Sequence, residues 1–406
     1  MSSSGSLGVG GSEMAGPART LVLGDLHLTP RSPSSVGDDL RALLAVHPGS
    51  RVILAGDTFE LDLGSAEHGR AAALGETLRA QPAIRAALGG HLDGGGELWL
   101  LPGNHDPDLA EPELRAALCA ALAPAAEASP RLHTVPWFLR LGALHIEHGH
   151  AHDPDNAPAH PLILGAPSLG AHFCAEFMRP TGAHGYLTTN DSTPGKLFAD
   201  AFTGYGCRGP YVVWRYFVAA FGALGRSGPF YRGGGERERG RARHESFAAE
   251  AGLAPELCDA LGAELAVPTL ESLPGTFARI YLDRALATAA VLLGLGALGF
   301  GRRRLGAACL GLGAAALSAS WLAGHDRYRG SVMARLREAA ERVGQATGAA
   351  LVVFGHTHEP ELGAGYANTG SFAQPRTPGG PGRPFLEIEG ELDEPRAVAR
   401  LWPPSS

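Results

Sequence analysis

Lysine is nearly absent from this chain: of the 34 basic residues in 406, only Lys196 is not an arginine. Basic charge is also in deficit, because 41 acidic residues leave a formal net charge of −7. That excludes a sequence-independent grip on nucleic acid, which needs a basic excess or stripe. An anionic substrate would need positive charge supplied locally. Cysteine is sparse, with five residues (Cys119, Cys174, Cys207, Cys258, Cys309) and no C-x-x-C pair. An odd, scattered set excludes a disulfide framework and a thiolate zinc site, and it fits a reducing compartment. Residues 1–18 have no basic region and no apolar core, so they read as a disordered tail rather than a signal peptide. The 57 glycines and 30 prolines show no G-X-Y period, which excludes a collagen-like chain. With 45% apolar and 18% charged residues the chain is not a disordered one, and its length allows two or three domains.

From Thr20 onward, short apolar runs end in polar clusters and are followed by helical Ala/Leu/Arg patterns, which predicts an α/β architecture. Strands are expected at Thr20–Leu23, Arg51–Ala55, Glu97–Leu101, Ala143–Glu147 and Ala350–Phe354. Helices are expected at Asp38–His47, Glu67–Leu88 and Glu111–Leu122. The alternation then stops, so residues 154–347 read as a mostly helical insertion between two parts of one domain, 19–153 and 348–402. Within it, the interleaved Arg/Glu segment Arg232–His244 and the histidines 160, 172 and 184 are expected on solvated loops.

Two apolar stretches in the insertion, Ala285–Gly301 and Leu305–Gly324, hold 17 and 20 residues without a charge and are separated by Arg302, Arg303 and Arg304. Each meets the length needed to cross a bilayer, so a transmembrane hairpin is expected over 285–324, with a buried or interfacial helix pair as the alternative. Six arginines flank its outer ends (Arg279, Arg284, Arg327, Arg329, Arg335, Arg337) against three in the turn. This bias places the larger domain on the cytoplasmic side of the inner membrane. The aromatic run Tyr211–Phe221 is expected either at the membrane interface or in the core of the insertion. Gly294 to Gly299 spells G-x-G-x-x-G, but its neighbours are uniformly apolar and no acid follows at the ribose-binding offset, so helix packing explains it.

Five clusters of metal-capable residues follow predicted strands: Gly24-Asp25-Leu26-His27, Gly56-Asp57-Thr58-Phe59-Glu60, Gly103-Asn104-His105-Asp106, His148-Gly149-His150 and Gly355-His356-Thr357-His358. Ligands bind at the carboxyl ends of strands in open α/β sheets, and glycine turns there let side chains converge. Mixed carboxylate, imidazole and amide donors suit Mn²⁺, Fe²⁺ or Zn²⁺. Paired ions need a bridging ligand, for which Asp57 is the candidate.

In this order, D-x-H, G-D-x-x-E, G-N-H-D, H-G-H and G-H-T-H resemble the motifs of the calcineurin-like metallophosphoesterase superfamily, over about 20–153 and 350–400. The resemblance implies an αββα sandwich with a dinuclear centre of divalent ions, Mn²⁺ foremost. It implies one ion on Asp25, His27, Asp57 and His358, and the other on Asp57, Asn104, His148 and His356. It also implies His105 as the catalytic histidine that is not a ligand, Asp106 as its orienter, and hydrolysis of a phosphoester or pyrophosphate by a metal-activated hydroxide. His150 is a second-choice ligand or substrate contact, and Asn368-Thr369-Gly370-Ser371 resembles the closing turn that supports such a site. Within the superfamily the motifs look most like the UDP-diacylglucosamine pyrophosphohydrolases. The chain departs from them at His105, where they carry arginine, at the second histidine of H-G-H, where they carry aspartate, and in its much longer insertion. The expected substrate is therefore the broader class of lipid-linked phosphoesters and pyrophosphates at a membrane. The alternatives are a soluble-substrate phosphodiesterase or protein phosphatase, or a non-catalytic membrane-tethered binding protein.

Overall fold

The computed structural model describes residues 19–61, 69–122, 129–182, 203–322, 324, 331–374 and 382–403. The expected tail at 1–18, His184, Arg327 and Arg329 lie outside the described residues. The chain divides into two units, one of residues 1–166, 233–266 and 333–406, the other of 167–232 and 267–332.

The first unit is mixed α/β with two sheets. Four short apolar segments, β1 (Thr20–Leu23), β2 (Arg51–Ala55), β3 (Glu97–Leu101) and β4 (Leu132–Thr134), pair in parallel. Parallel neighbours need crossover connections, and helices supply three of them. These are α1 (Ser34–Val46) after β1, α2 (Gly69–Ala80) with α3 (Pro82–Asp93) after β2, and α4 (Pro112–Leu122) after β3. The expected single helix Glu67–Leu88 is broken, because Pro82 lacks an amide hydrogen and disfavours helical backbone at Gln81, where φ is −115° and ψ 67°. The Gln81 amide donates instead to the carbonyls of Thr29 and Ser32, at 3.1 and 2.9 Å.

Strand periodicity sets the core. Leu21, Leu23, Val52, Leu54, Leu98 and Leu100 share one sheet face and pack with Leu40, Leu74, Leu88 and Leu118 of the four helices. Each fully buried leucine contributes about 1.5–3 kcal/mol relative to exposure. The sheet closes with antiparallel β10 (Arg383–Glu389) beside β1 and β11 (Arg396–Trp402) beside β10.

The second sheet runs β5 (Leu139–Leu141), β6 (Leu144–Ile146), β7 (Leu351–Phe354), β9 (Tyr366–Thr369), β8 (Pro360–Gly363). Its central pairs, β6 with β7 and β7 with β9, are parallel. Each of the five strands expected from sequence is present, two of them trimmed to Leu144–Ile146 and Leu351–Phe354.

Residues 233–266 of the expected insertion pack within the first unit as three helices, Gly234–Arg241, His244–Ala251 and Pro255–Glu264. The Arg/Glu segment is therefore helical rather than a loop; Glu238, Arg239, Arg241 and Arg243 are exposed as expected, but Glu236 is buried and accepts the Ala166 amide at 3.0 Å. Phe247 is buried as well, its ring 5.3 Å from that of Phe138.

The second unit holds a helix over the aromatic run, Gly209–Leu224, and two apolar helices, Leu282–Gly299 and Arg303–Leu322. By length and composition both apolar helices could cross a membrane, and only 17% of each apolar window is buried. They pack through glycines: a Cβ on Gly294 would meet the Leu310 amide nitrogen at 2.6 Å, and one on Gly313 the Ala287 carbonyl at 2.8 Å. Gly294, the first glycine of the G-x-G-x-x-G run, thus serves close helix contact. His160 in the first unit and His172 in the second, expected on solvated loops, are both buried. His160 pairs with His244 at 2.9 Å, and His172 meets the Ala219 carbonyl at 2.8 Å.

Candidate metal centre

The five clusters leave the carboxyl ends of β1, β2, β3, β6 and β7 and meet at one place in the first unit. Backbone bonds tie the strand ends together there: Gly355 N–H donates to the His148 carbonyl at 3.0 Å within the second sheet, and Phe372 N–H reaches from the second sheet to the Gly24 carbonyl of the first at 3.1 Å. The approach is close enough to require glycine. A Cβ on Gly103 would lie 2.0 Å from Asp57 Oδ1, and one on Gly56, whose φ is +89°, would lie 2.5 Å from the His148 ring.

Backbone strain concentrates at the same place. Among the described residues six non-glycines have left-handed φ, and five of them are Asp25, His27, Asp57, His356 and His358. Such conformations persist where surrounding structure over-determines them, and they cluster at functional sites.

Each key carboxylate is held by one oxygen and leaves the other facing inward. Asp25 Oδ2 accepts the His356 amide at 3.1 Å, while Oδ1 lies 3.2 Å from His358 Nε2 and 3.8 Å from His27 Nε2. Asp57 Oδ1 accepts the His105 amide at 2.9 Å. Its Oδ2 lies 3.1 Å from His148 Nε2 and 3.9 Å from both His27 Nε2 and His105 Nε2. Three overlapping groups result, each with ligand atoms within 4.8 Å of one another: Asp25, His27 and His358; His27, Asp57 and His105; Asp57, His148 and His356. Asp57 and His27 each belong to two of them.

The imidazole tautomers follow from the outer nitrogens. His148 Nδ1 donates to the Ala55 carbonyl at 3.0 Å, and His27 Nδ1 donates to Glu60 Oε2 at 3.0 Å. In the neutral form of either ring Nε2 then carries the lone pair, the usual arrangement of a ligating histidine. His27 Nε2 faces His358 Nε2 at 3.0 Å. Ligand atoms about 2.1 Å from a common ion and at about 90–110° are roughly 3.0–3.4 Å apart, so these spacings fit a shared cation. The side-chain atoms Asp25 Oδ1, Asn104 Oδ1 and His148 Nε2 are buried without a hydrogen-bond partner. Groups of this kind call for an ion or water, so the donor set fits the implied metals.

His105 and Asp106 sit differently from each other. His105 Nδ1 donates to Glu60 Oε1 at 2.6 Å, leaving Nε2 turned toward the site. Asp106 does not orient it, which corrects the expectation. Its carboxylate accepts backbone amides of Gly103, Phe59 and Asp57 at 2.7, 3.0 and 3.2 Å, so it ties the β2 and β3 loops together. The orienter is Glu60, a residue inside the quoted G-D-x-x-E cluster that the sequence left without a role. One Glu60 carboxylate holds both His27 and His105.

Asp153 was missed altogether. Its Oδ2 accepts His356 Nε2 at 3.1 Å, which leaves Nδ1 of that ring with the lone pair. Its position after H-G-H is the only signal in the sequence. His150 is buried beside His148, with ring centroids 5.4 Å apart. The Asn368–Ser371 turn supports the site as expected: Asn368 Nδ2 donates to the Gly355 carbonyl at 2.6 Å, and Ser371 Oγ to the Asp25 carbonyl at 2.8 Å.

Carboxylates and imidazoles of the site shift one another's titration in opposite directions. Burial pushes the Asp25 and Asp57 carboxyls up, yet the neighbouring histidines, His358 and His148 for the first and His148 and His105 for the second, hold both well below the usual range. Burial also raises Glu60, and His105 and His27 bring it down to about 2. In the other direction, burial would depress His105 and His148, but the carboxylates of Glu60 and Asp57 around the first, and of Asp57 and Asp25 around the second, lift both to about 9. Burial and the Asp57 charge raise Asp106 to about 7, while burial and His148 lower His150 to about 3.

No protein-family model matches this chain, and no curated protein matches it.

Proposed function

We propose that this chain is a dinuclear metal-dependent phosphoesterase with the calcineurin-like αββα sandwich, held at the cytoplasmic membrane by its apolar hairpin and hydrolysing a phosphoester or pyrophosphate of a lipid-linked substrate. The observation that supports the reading is the meeting of five motif clusters, in superfamily order, whose carboxylate oxygens and ring nitrogens form three overlapping groups, the ligand atoms of each within 4.8 Å of one another.

Asp25, His27, Asp57 and His358 would hold one divalent ion and Asp57, Asn104, His148 and His356 the other. Bound there, such ions lower the pKa of water toward neutrality and neutralise phosphoryl oxygens, which meets the need for local positive charge on an acidic protein. The chain's own residues position the reaction. Glu60 fixes the His27 and His105 rings through their Nδ1 hydrogens, at 3.0 and 2.6 Å. That leaves His105 Nε2 aimed into the site, where its protonated form donates to the departing oxygen. Asp153 fixes His356 at 3.1 Å, and Asp106 locks the loops that carry Asp57 and His105.

The membrane part of the reading rests on two helices of 18 and 20 residues with mean hydropathy 1.4 and 1.6. At about 1.5 Å per residue they span roughly 27 and 30 Å, close to the hydrocarbon thickness of a bilayer. The test is manganese-dependent hydrolysis of an aryl phosphodiester by detergent-purified protein, with Asp57→Asn as the control. Turnover by the wild type alone is expected. Equal turnover by both proteins, or none by a wild type loaded with two ions, contradicts the reading.

A further inference from the structure

The helix Gly209–Leu224 in the second unit has two unlike faces. Its inner face, with Val212, Ala219, Ala220 and Ala223, is buried. Its outer face shows large apolar side chains to solvent: Tyr211 is 40% exposed, Trp214 56%, Val218 36% and Phe221 57%. These four recur at spacings of three, four and three, so at about 100° per residue they fall within an arc of roughly 80°. A solvated helix has no use for a stripe of three aromatics and a valine.

The same helix is fixed to the foot of the apolar hairpin. Ala220 and Ala223 share a packed cluster with Ile280 and Leu282, the residues that lead into the first hairpin helix. Tyr216 OH donates to the Ile280 carbonyl at 2.8 Å. Arg284 closes the foot, its Nε donating to Ser320 Oγ of the second hairpin helix at 3.0 Å. Away from this foot the hairpin surface is openly apolar, with Leu293 69% and Leu312 72% exposed.

We infer that the Tyr211, Trp214, Val218 and Phe221 stripe is an interfacial membrane seat, occupied by the boundary between headgroups and acyl chains of the leaflet that the hairpin enters. The inference rests on the proposed spanning hairpin and goes beyond it, since a hairpin alone needs no stripe at its foot. Tryptophan and tyrosine gather at this level of a bilayer because their rings are apolar and their polar edges stay wet. Attachment of the helix at the hairpin foot, through Ile280 and Leu282, selects lipid over a protein partner. The seat would give the second unit a fixed depth at the membrane surface in addition to its anchor.

The test uses the full chain reconstituted in phosphatidylcholine and phosphatidylglycerol vesicles, with bromine on the acyl chains near the headgroup. The emission of Trp214 is taken as the difference between wild type and Trp214→Phe, and that of Trp321 on the second hairpin helix as the difference for Trp321→Phe. The expected result is blue-shifted Trp214 emission that loses most of its intensity to lipid bromine and resists aqueous iodide. Trp214 quenched by iodide but not by bromine, with Trp321 quenched by bromine, overturns the seat and leaves the hairpin standing. Bromine reaching neither tryptophan overturns both.

Discussion

Replacing Glu60 with glutamine should weaken metal binding and turnover together, although Glu60 is no metal ligand. Its two oxygens accept Nδ1–H from His105 at 2.6 Å and from His27 at 3.0 Å, and its side chain is 1% exposed. Glutamine keeps one acceptor oxygen and turns an NH₂ toward the other ring. One imidazole must then change tautomer or lose its partner. Hydrogen bonds to a charged group are worth about 1.5–3 kcal/mol each, and removing the acceptor behind a ligating histidine costs roughly 10–100-fold in metal affinity or activity. A loss in that range is expected by calorimetric titration with Mn²⁺ and by turnover of an aryl phosphodiester, with the thermal melt confirming a folded variant. The pH profile carries a second readout. Glu60 is the largest of the influences that raise His105, which stands at about 9 in the folded chain against an ordinary 6.5. Without that charge, protonated His105 is lost at lower pH, so the basic limb of the rate profile should move down by roughly one unit or more. Mn²⁺ affinity and turnover within twofold of wild type, with an unmoved basic limb, would refute the assignment of Glu60.

Three further outcomes are expected. His105→Ala should keep its bound ions while turnover falls by about 10²–10⁴-fold; loss of metal in elemental analysis would make His105 a ligand instead. Mn²⁺ uptake should release protons and tighten as pH rises toward the His148 value of about 9, because a ligand must shed its proton before it binds; pH-independent affinity in buffers of different ionisation enthalpy contradicts this. Gly294→Leu should splay the hairpin, since even a Cβ there meets the Leu310 amide nitrogen at 2.6 Å, lowering stability in detergent by about 1–3 kcal/mol; an unchanged melt would mean that the two helices do not pack through this glycine.

The five expected strands were legible because each is a short apolar run with a glycine within three residues of its end, a pattern set by burial on both faces; parallel β4, the three-residue run Leu132–Thr134 with no glycine after it, and β9 were not. The candidate ligands were legible for a related reason: they follow those runs directly, so a strand end and a ligand are the same signal. Asp106 and Glu60 show where such reading stops. Both are carboxylates a few residues beyond a strand, and the resemblance implied Asp106 as the partner of His105. The loop geometry gives that role to Glu60 and turns Asp106 onto three backbone amides. Asp153 illustrates the same limit, because its partner His356 lies 203 residues away. Composition also misjudged the Arg/Glu segment, in which one glutamate, Glu236, is buried by its bond to the Ala166 amide.

The central claim is a two-ion centre bridged by Asp57, and the most direct measurement is metal content. Full-length protein and Asp57→Asn would be equilibrated with micromolar Mn²⁺, freed of excess ion and analysed for bound manganese per chain. Two ions in the wild type and loss of both in Asp57→Asn is the predicted result. A wild type that retains no manganese, or a variant that still holds two ions, would contradict the account.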